Sequence, residues 1–356
     1  MTELEQYLKR VRPLDETAGR QAAARWDRVA KPLHSLGLLE AAIIKIAGMT
    51  GDSAIHIEKK ALVIMCADNG VVAEGVTQTG QEVTAVVTEN FTKGEACVCL
   101  MAQKAGVDVY PVDIGVAADL DGAEDRYPLT RAKIAWGTKN FATEPAMTRE
   151  EAEQAVLCGI RMVEKLKQSG YGIIATGEMG IGNTTTSSAV ASVLLGTSPS
   201  LMTGKGAGLS DSGLQTKIRV ITEAIEKHRP DPRDGLDVLA KVGGLDLAGL
   251  TGVFLGGAIF QLPIVIDGVI SATAALAASV ICPEAPSYML ASHVSAEPAG
   301  TCLLEALGLE AVLHGGMFLG EGTGAVAVLP LLDMAAEIYH KMSTFQDIEI
   351  EEYHEL

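Results

Sequence analysis

Apolar residues recur at helical spacing through the first fifty positions, most clearly over Ala22–Ala30 and Leu36–Ala47. The pattern then changes to short continuous runs. Leu62–Cys66 is apolar throughout and stops at Asp68-Asn69-Gly70, which predicts a buried strand ended by a turn. Val107–Val112 is closed by Asp113 and Gly115, Gly172–Thr176 by Gly177, and Leu262–Ile266 by Asp267-Gly268, so three more strands are expected. Helical stretches lie between them. The clearest runs from Glu150 to Ser169: Thr148 and Glu151 form a capping box, Ala152, Val156, Ile160, Val163 and Leu166 share one face, and Gly170 supplies the stop. Strands alternating with helices predict a mostly parallel α/β sheet covered on both faces. In such sheets ligands bind where the strands end, so the acidic and Gly-rich turns are where chemistry is expected. A small helical lobe is expected from residues 1–50 and 335–356, and a large α/β domain carrying the site from 51–334.

Composition narrows the picture. With 48% hydrophobic residues a sizeable core can form, and 38 glycines with only 4% aromatics suit helices packed closely on such a sheet. A net charge of −17 excludes a nucleic-acid partner, which needs a basic surface. A small anionic substrate stays possible, because backbone N–H groups and one lysine suffice to hold a phosphate. Cys66, Cys97, Cys99, Cys158, Cys282 and Cys302 form no C-x-x-C pair and read as reduced core residues. The charged stretch Met1–Arg12 has no apolar leader core, and the apolar run Leu250–Pro263 is short and broken by glycines, so a cytoplasmic protein with no membrane partner is expected.

Four clusters carry chemistry. Gly177-Glu178-Met179-Gly180-Ile181-Gly182-Asn183-Thr184 follows a strand and opens a helix that Asn183 or Thr184 could cap. Its free N–H groups make an anion cradle, and a carboxylate within it suits ribose hydroxyls. Thr203-Gly204-Lys205-Gly206-Ala207-Gly208 precedes Lys217, which is either a solvated helix lysine or the partner of a phosphate. Leu319-Gly320-Glu321-Gly322-Thr323-Gly324 places a carboxylate among glycines and apolar residues. There it is either a helix-start acid or, desolvated, a general base. Gly322-x-Gly324-x-x-Ala327 matches a dinucleotide fingerprint only loosely. Asp267-Gly268 and Ser292-His293-Val294-Ser295-Ala296-Glu297 form the fourth cluster. With no G-x-S-x-G elbow, His293 does not support a hydrolase. The seven histidines lack metal-ligand spacing.

Together these motifs resemble the nicotinate-nucleotide–dimethylbenzimidazole phosphoribosyltransferase family along nearly the whole chain. The likeness runs from Lys31-Pro32, Ser35-Leu36-Gly37 and Leu39-Glu40 through Met65-Cys66-Ala67-Asp68 and Gly177-Glu178-Met179-Gly180. It continues through Pro230-Asp231-Pro232-Arg233-Asp234-Gly235, Lys241-Val242-Gly243-Gly244, Asp246, Ser292-His293, Ser295-Ala296-Glu297 and Gly320-Glu321-Gly322. The resemblance implies a Rossmann-like sheet with a smaller helical lobe, a homodimer with composite sites, and no cofactor or metal. It implies transfer of phosphoribose from nicotinate mononucleotide to a lower-ligand base such as 5,6-dimethylbenzimidazole, in cobamide synthesis. Glu321 would be the general base. Glu178, Gly180, Gly206, Lys217 and Gly268 would contact ribose and phosphate, Met179 and Leu319 would wall the base pocket, and Ser295 would act across the dimer. Family members carry His where this chain has Asn69, and Ser and Gln in the base pocket where it has Thr79 and Val87. Loss of the Gln amide leaves a second acceptor class open: phenol or p-cresol, used by a related branch that includes enzymes of two unlike subunits.

Overall fold

A computed structural model describes residues 1–120 and 126–353; the last three residues of the expected helical lobe lie outside them. Three helices, α1 (Glu3–Leu8), α2 (Glu16–Arg28) and α3 (Leu38–Thr50), lead into strand β1 (Lys60–Ala67). All eight residues of β1 are buried, as a central strand with both faces covered requires. Helices α4 (Glu82–Lys93) and α5 (Cys97–Ala105) precede β2 (Val107–Gly115) and the two-residue β3 (Thr130–Arg131). Helix α6 (Arg149–Gln168) has the Thr148–Glu151 capping box, and its five predicted face residues are buried. It leads into β4 (Ile173–Met179), followed by α7 (Asn183–Leu195), α8 (Pro199–Met202), α9 (Asp211–His228), α10 (Gly235–Val242) and α11 (Leu245–Phe260). The chain continues through β5 (Ile264–Ile266), α12 (Val269–Ile281), β6 (Met289–Ala291), α13 (Gly300–Ala306) and α14 (Thr323–Lys341).

The sheet order is β3-β2-β1-β4-β5-β6, with every pair parallel. This is the order of a doubly wound, Rossmann-like sheet. All strands therefore end on one side of the sheet, and the loops following β4, β5 and β6 are brought together there. The apolar run beginning at Leu250 is the second half of α11, a helix whose residues Leu245 to Ile259 are all buried against α6 and α12. Among the described residues no helix is long and apolar enough to cross a membrane.

The end of α2 meets the end of α14. Val29 and Thr344 form an antiparallel bridge, Trp26 packs edge-on against Tyr339 at 5.3 Å, and Arg25 Nε donates to the Tyr339 carbonyl at 3.1 Å. Their buried residues belong to the same continuous core as the sheet. The Lys31 to Glu40 motif is a buried clamp at the start of α3. Glu40 Oε1 accepts from Lys31 Nζ at 2.7 Å and from the Leu36 N–H at 2.8 Å, tying the segment that leads into α3 to the helix's first turn.

Three local expectations change. Strand β4 does not stop at Gly177 but continues to Met179, because its pairing with β1 persists to Cys66–Met179. Helix α7 is capped by Gly182 with φ +93°, not by Asn183 or Thr184, since the Asn183 side chain is turned to Glu178. Cys97 is not a core residue: it starts α5 and is exposed, whereas Cys66, Cys99 and Cys282 are buried.

Candidate functional site

A cavity of about 580 Å³ opens at the C-terminal ends of β4, β5 and β6. Its floor carries Glu178 at the end of β4 with Gly180 and Thr184 beyond it, Asp267 and Gly268 after β5, and His293 and Ser295 after β6. The wall opposite is the segment Gly315–Glu321 together with Cys97 and Met101 of α5. Size and lining suit a small organic ligand held by few polar groups.

Glu178 is buried on the floor. Its Oε2 accepts from Asn183 Nδ2, and its Oε1 accepts from the Glu321 N–H at 3.3 Å. Burial first, then the nearby carboxylates of Asp246 and Asp267, push its pKa up to about 8, against the pull of those two donors. Asp246, behind it at the start of α11, is pushed up to about 7 by burial. Burial thus makes both acids harder to ionise than ordinary carboxyl groups.

Glu321 sits in a left-handed turn: φ is +85° at Gly320, +61° at Glu321 and +96° at Gly322. A left-handed conformation in a residue with a Cβ costs roughly 1–2 kcal/mol, so the surrounding structure must impose it. The side chain is half-buried, and its Oε2 is buried with no hydrogen-bond partner. Burial raises its pKa, the Asp267 charge raises it further, and the Val98 N–H at the start of α5 draws it down. Glu321 lines the cavity as a desolvated carboxyl group, harder to ionise than an exposed one and a stronger base once ionised.

The turn reaches the floor because Gly177 has no side chain. A Cβ there would lie 2.3 Å from the Glu321 carbonyl oxygen and 2.8 Å from its carbonyl carbon. Those are backbone atoms with no rotamer to yield. Gly177→Ala is therefore expected to displace the turn, cost about 1–3 kcal/mol of stability as overpacked cores do, and lower activity as well. Thermal unfolding and turnover measured on the same preparation check both effects.

Lys217 is buried beneath the floor, 1% exposed, so it is not a solvated helix lysine. Its Nζ donates to Thr184 Oγ1 at 2.7 Å and to the Gly204 carbonyl at 3.3 Å. Burial lowers its pKa to about 8, with Glu297 working the other way. It does not itself line the cavity, but Thr184 and Gly206, on either side of it, do.

The other expected residues divide. Met179, Gly180, Gly206, Gly268, Ser295 and Leu319 line the cavity with Glu178 and Glu321. Ser295 does so on its own chain, where its Oγ accepts from the Glu297 N–H at 3.3 Å. Thr79 and Val87 do not line it. Thr79 is exposed in the loop before α4, with its carbonyl on Thr77 Oγ1, and Val87 is half-buried against the core. Gly322, Gly324 and Ala327 follow no strand of the sheet, so the dinucleotide fingerprint has no structural context. Sequence reasoning placed Asp267 in the fourth cluster but gave it no role, although an acid directly after a strand in a parallel sheet was the available signal. Cys97 and Met101, one helical turn apart, gave none.

The comparisons agree with this geometry. A phosphoribosyltransferase family model matches residues 11–350. The nicotinate-nucleotide–dimethylbenzimidazole phosphoribosyltransferase of Ruminiclostridium cellulolyticum is 48% identical over 351 residues, covering 98% of each chain. The protein of the same name from Acetivibrio thermocellus is 47% identical over 348 residues, again 98% of each. Among solved structures, CobT of Thermus thermophilus superposes with a TM-score of 0.89 at 38% identity, covering 95% of this chain and 100% of that one. With its parallel sheet, its cavity at the strand ends and relatives matching over their full length, the chain belongs to the nicotinate-nucleotide–dimethylbenzimidazole phosphoribosyltransferase family.

Proposed function

We propose that this chain transfers the phosphoribosyl group of nicotinate mononucleotide to a ring nitrogen of 5,6-dimethylbenzimidazole or a similar base, releasing nicotinate. The product is the α-ribotide, α-ribazole 5'-phosphate, a precursor of the cobamide lower ligand. The observation that carries this reading is the half-buried Glu321 carboxyl group in the lining of a cavity of about 580 Å³.

The chemistry needs little more. Nicotinate bound to ribose is a cationic pyridinium, so the C1'–N bond breaks with its electron pair going to a ring that becomes neutral. The imine-type nitrogen of the incoming base forms the new C1'–N bond on the opposite face, and the N–H proton of its other ring nitrogen passes to Glu321, leaving a neutral ribotide base. The remaining work is alignment. In this reading the phosphate lies toward Gly206 and Thr184, with Lys217 beneath them, and the ribose lies over Glu178, Gly180 and Gly268. The base packs against Met179 and Leu319. The acceptor side is then apolar, with Thr79 and Val87 outside the lining. The same reading takes the protein as a cytoplasmic homodimer whose small lobe comes from residues 1–50 and 335–356. Phe318 and Leu319, 63% and 57% exposed at the cavity mouth, offer a second copy an apolar surface.

Incubation with nicotinate mononucleotide and, separately, 5,6-dimethylbenzimidazole, phenol and p-cresol tests the reading. The nitrogen-linked ribotide is expected from the first. Oxygen-linked product alone would move the protein to the phenol branch, and no ribotide from any acceptor would overturn it. The pH profile follows from the sign of the Glu321 shift. A base works only when ionised, and burial raises this pKa. Turnover is therefore expected to fall on acidification at a pH above the ordinary carboxylate range, read as the acid limb of kcat.

A further inference from the structure

We infer that Asp267 is a positioning residue for Glu321: from the end of β5 its carboxylate holds the first turn of α14, and with it the strained turn that presents Glu321 to the cavity. The inference rests on the reading of Glu321 as the base.

Helix α14 begins without a cap of its own. Its N-cap is Gly322, and no side chain there satisfies the first backbone N–H groups. A capping side chain at that position is excluded by space. A Cβ on Gly322 would lie 2.6 Å from Leu62 Cδ1 and 3.0 Å from the Thr176 carbonyl oxygen, at a φ of +96°. The cap therefore comes from elsewhere. Asp267 Oδ2 accepts from the Gly322 N–H at 3.0 Å, and its Oδ1 accepts from Gly324 at 2.7 Å and Ala325 at 3.1 Å. Both oxygens only accept, which is the geometry of the anion, and a helix N-terminus favours an anion.

Asp267 is itself fixed on both sides. Its N–H donates to Ser271 Oγ at 3.2 Å, and its carbonyl accepts from Ser292 Oγ at 3.3 Å. Ser271 Oγ in turn pairs with Thr176 Oγ1 of β4 at 2.7 Å. The frame thus runs from β4 and β5 through one carboxylate into the turn at Gly320–Gly322. The bond from the Glu321 N–H to Glu178, which also ties this turn to the floor, is longer at 3.3 Å. The titratable groups facing Asp267 are His293 after β6, Glu178 from β4 and Glu321 from the turn. The negative charge of Asp267 also makes Glu321 harder to ionise.

Asp267→Asn keeps the size but turns one acceptor into a donor facing a backbone N–H. It is expected to lower kcat by about 10²-fold, the scale of a small misplacement of a catalytic group, with the donor KM little changed. The acid limb of kcat is expected to move to lower pH, because a negative charge beside Glu321 has gone. A variant that loses thermal stability but keeps both kcat and the acid limb would overturn the inference. If Asp267→Asn does not fold, Ser271→Ala, which unpins the Asp267 backbone and leaves its carboxylate, is expected to lower kcat in the same direction. Unchanged kcat there would overturn it too. Glu321→Gln run alongside separates the two ideas. Full turnover in that variant removes the base reading itself, whereas loss in Glu321→Gln with none in Asp267→Asn removes only the positioning role.

Discussion

Glu321→Gln is expected to lower kcat by about 10²–10⁴-fold, the usual contribution of a general base, while donor affinity stays near that of the wild type. Gln has the same length and the same backbone needs, so the left-handed turn and its bonds to Glu178 and Asp267 should survive. What disappears is an oxygen able to take a proton. In the wild type the Glu321 carboxylate supplies it from the cavity lining. An amide Nε2 or Oε1 in its place accepts no proton at neutral pH. Glu321→Ala would confuse this result, because it also leaves a hole beside Val98 and frees the turn. The acceptor matters as well. A base whose N–H is more acidic needs less help, so the loss should shrink across a series of acceptors with falling N–H pKa. Turnover equal to the wild type with 5,6-dimethylbenzimidazole would remove Glu321 from the mechanism.

The parts of this site that were legible in the sequence are those with a local cause. Strand β1 announced itself as an unbroken apolar run because it is buried on both faces. Helix α6 did so because its cap and its apolar face both lie within about twenty residues of chain. Gly177 was misread, and for a physical reason. A glycine after an apolar run usually marks a turn, but here it continues the strand and clears space for a backbone segment 144 positions later. No window of sequence contains that contact. Strands β3 and β6 are two and three residues long, too short for any period to show. Lys217 and Asp267 were ambiguous for the same reason: burial and partners decide their meaning, and both come from distant elements. The family likeness drew attention to Glu178 and Glu321 but could not say that one donates a backbone N–H to the other's carboxylate. Asp267 stood in the fourth cluster beside Gly268, a residue given a contact, and was itself given no role. Its three N–H partners lie 55 to 58 residues further along.

Lys217→Met should raise the donor KM by about 10–100-fold and change kcat much less, since a charge-assisted hydrogen bond contributes about 1.5–3 kcal/mol and each 1.4 kcal/mol is about tenfold. Met keeps most of the length of the side chain inside the same buried channel but carries no charge. The ammonium lies beneath Thr184 and the Gly204–Gly208 loop, so its field acts on whatever anion rests there, directly or through the Thr184 hydroxyl. Its setting also makes a pH-dependent prediction. Burial lowers the Lys217 pKa to about 8, so in the free enzyme the charge is present below that pH and lost above it. Wild-type affinity for nicotinate mononucleotide should therefore fall as pH rises through about 8, although the phosphate, whose second pKa is about 6, is already ionised there. In Lys217→Met the affinity should start low and stay flat. Glu178, pushed up to about 8 as well, is a second group that ionises in this range and adds a repelling charge. Glu178→Gln removes that contribution and should leave the slope due to Lys217 in place. Calorimetric titration of the donor across pH 6.5 to about 9.5, a window bracketing both shifted groups, distinguishes these cases. Equal donor affinity in the wild type and Lys217→Met, or the same slope in both, would mean that the buried lysine serves only to tie α9 to the loop above it.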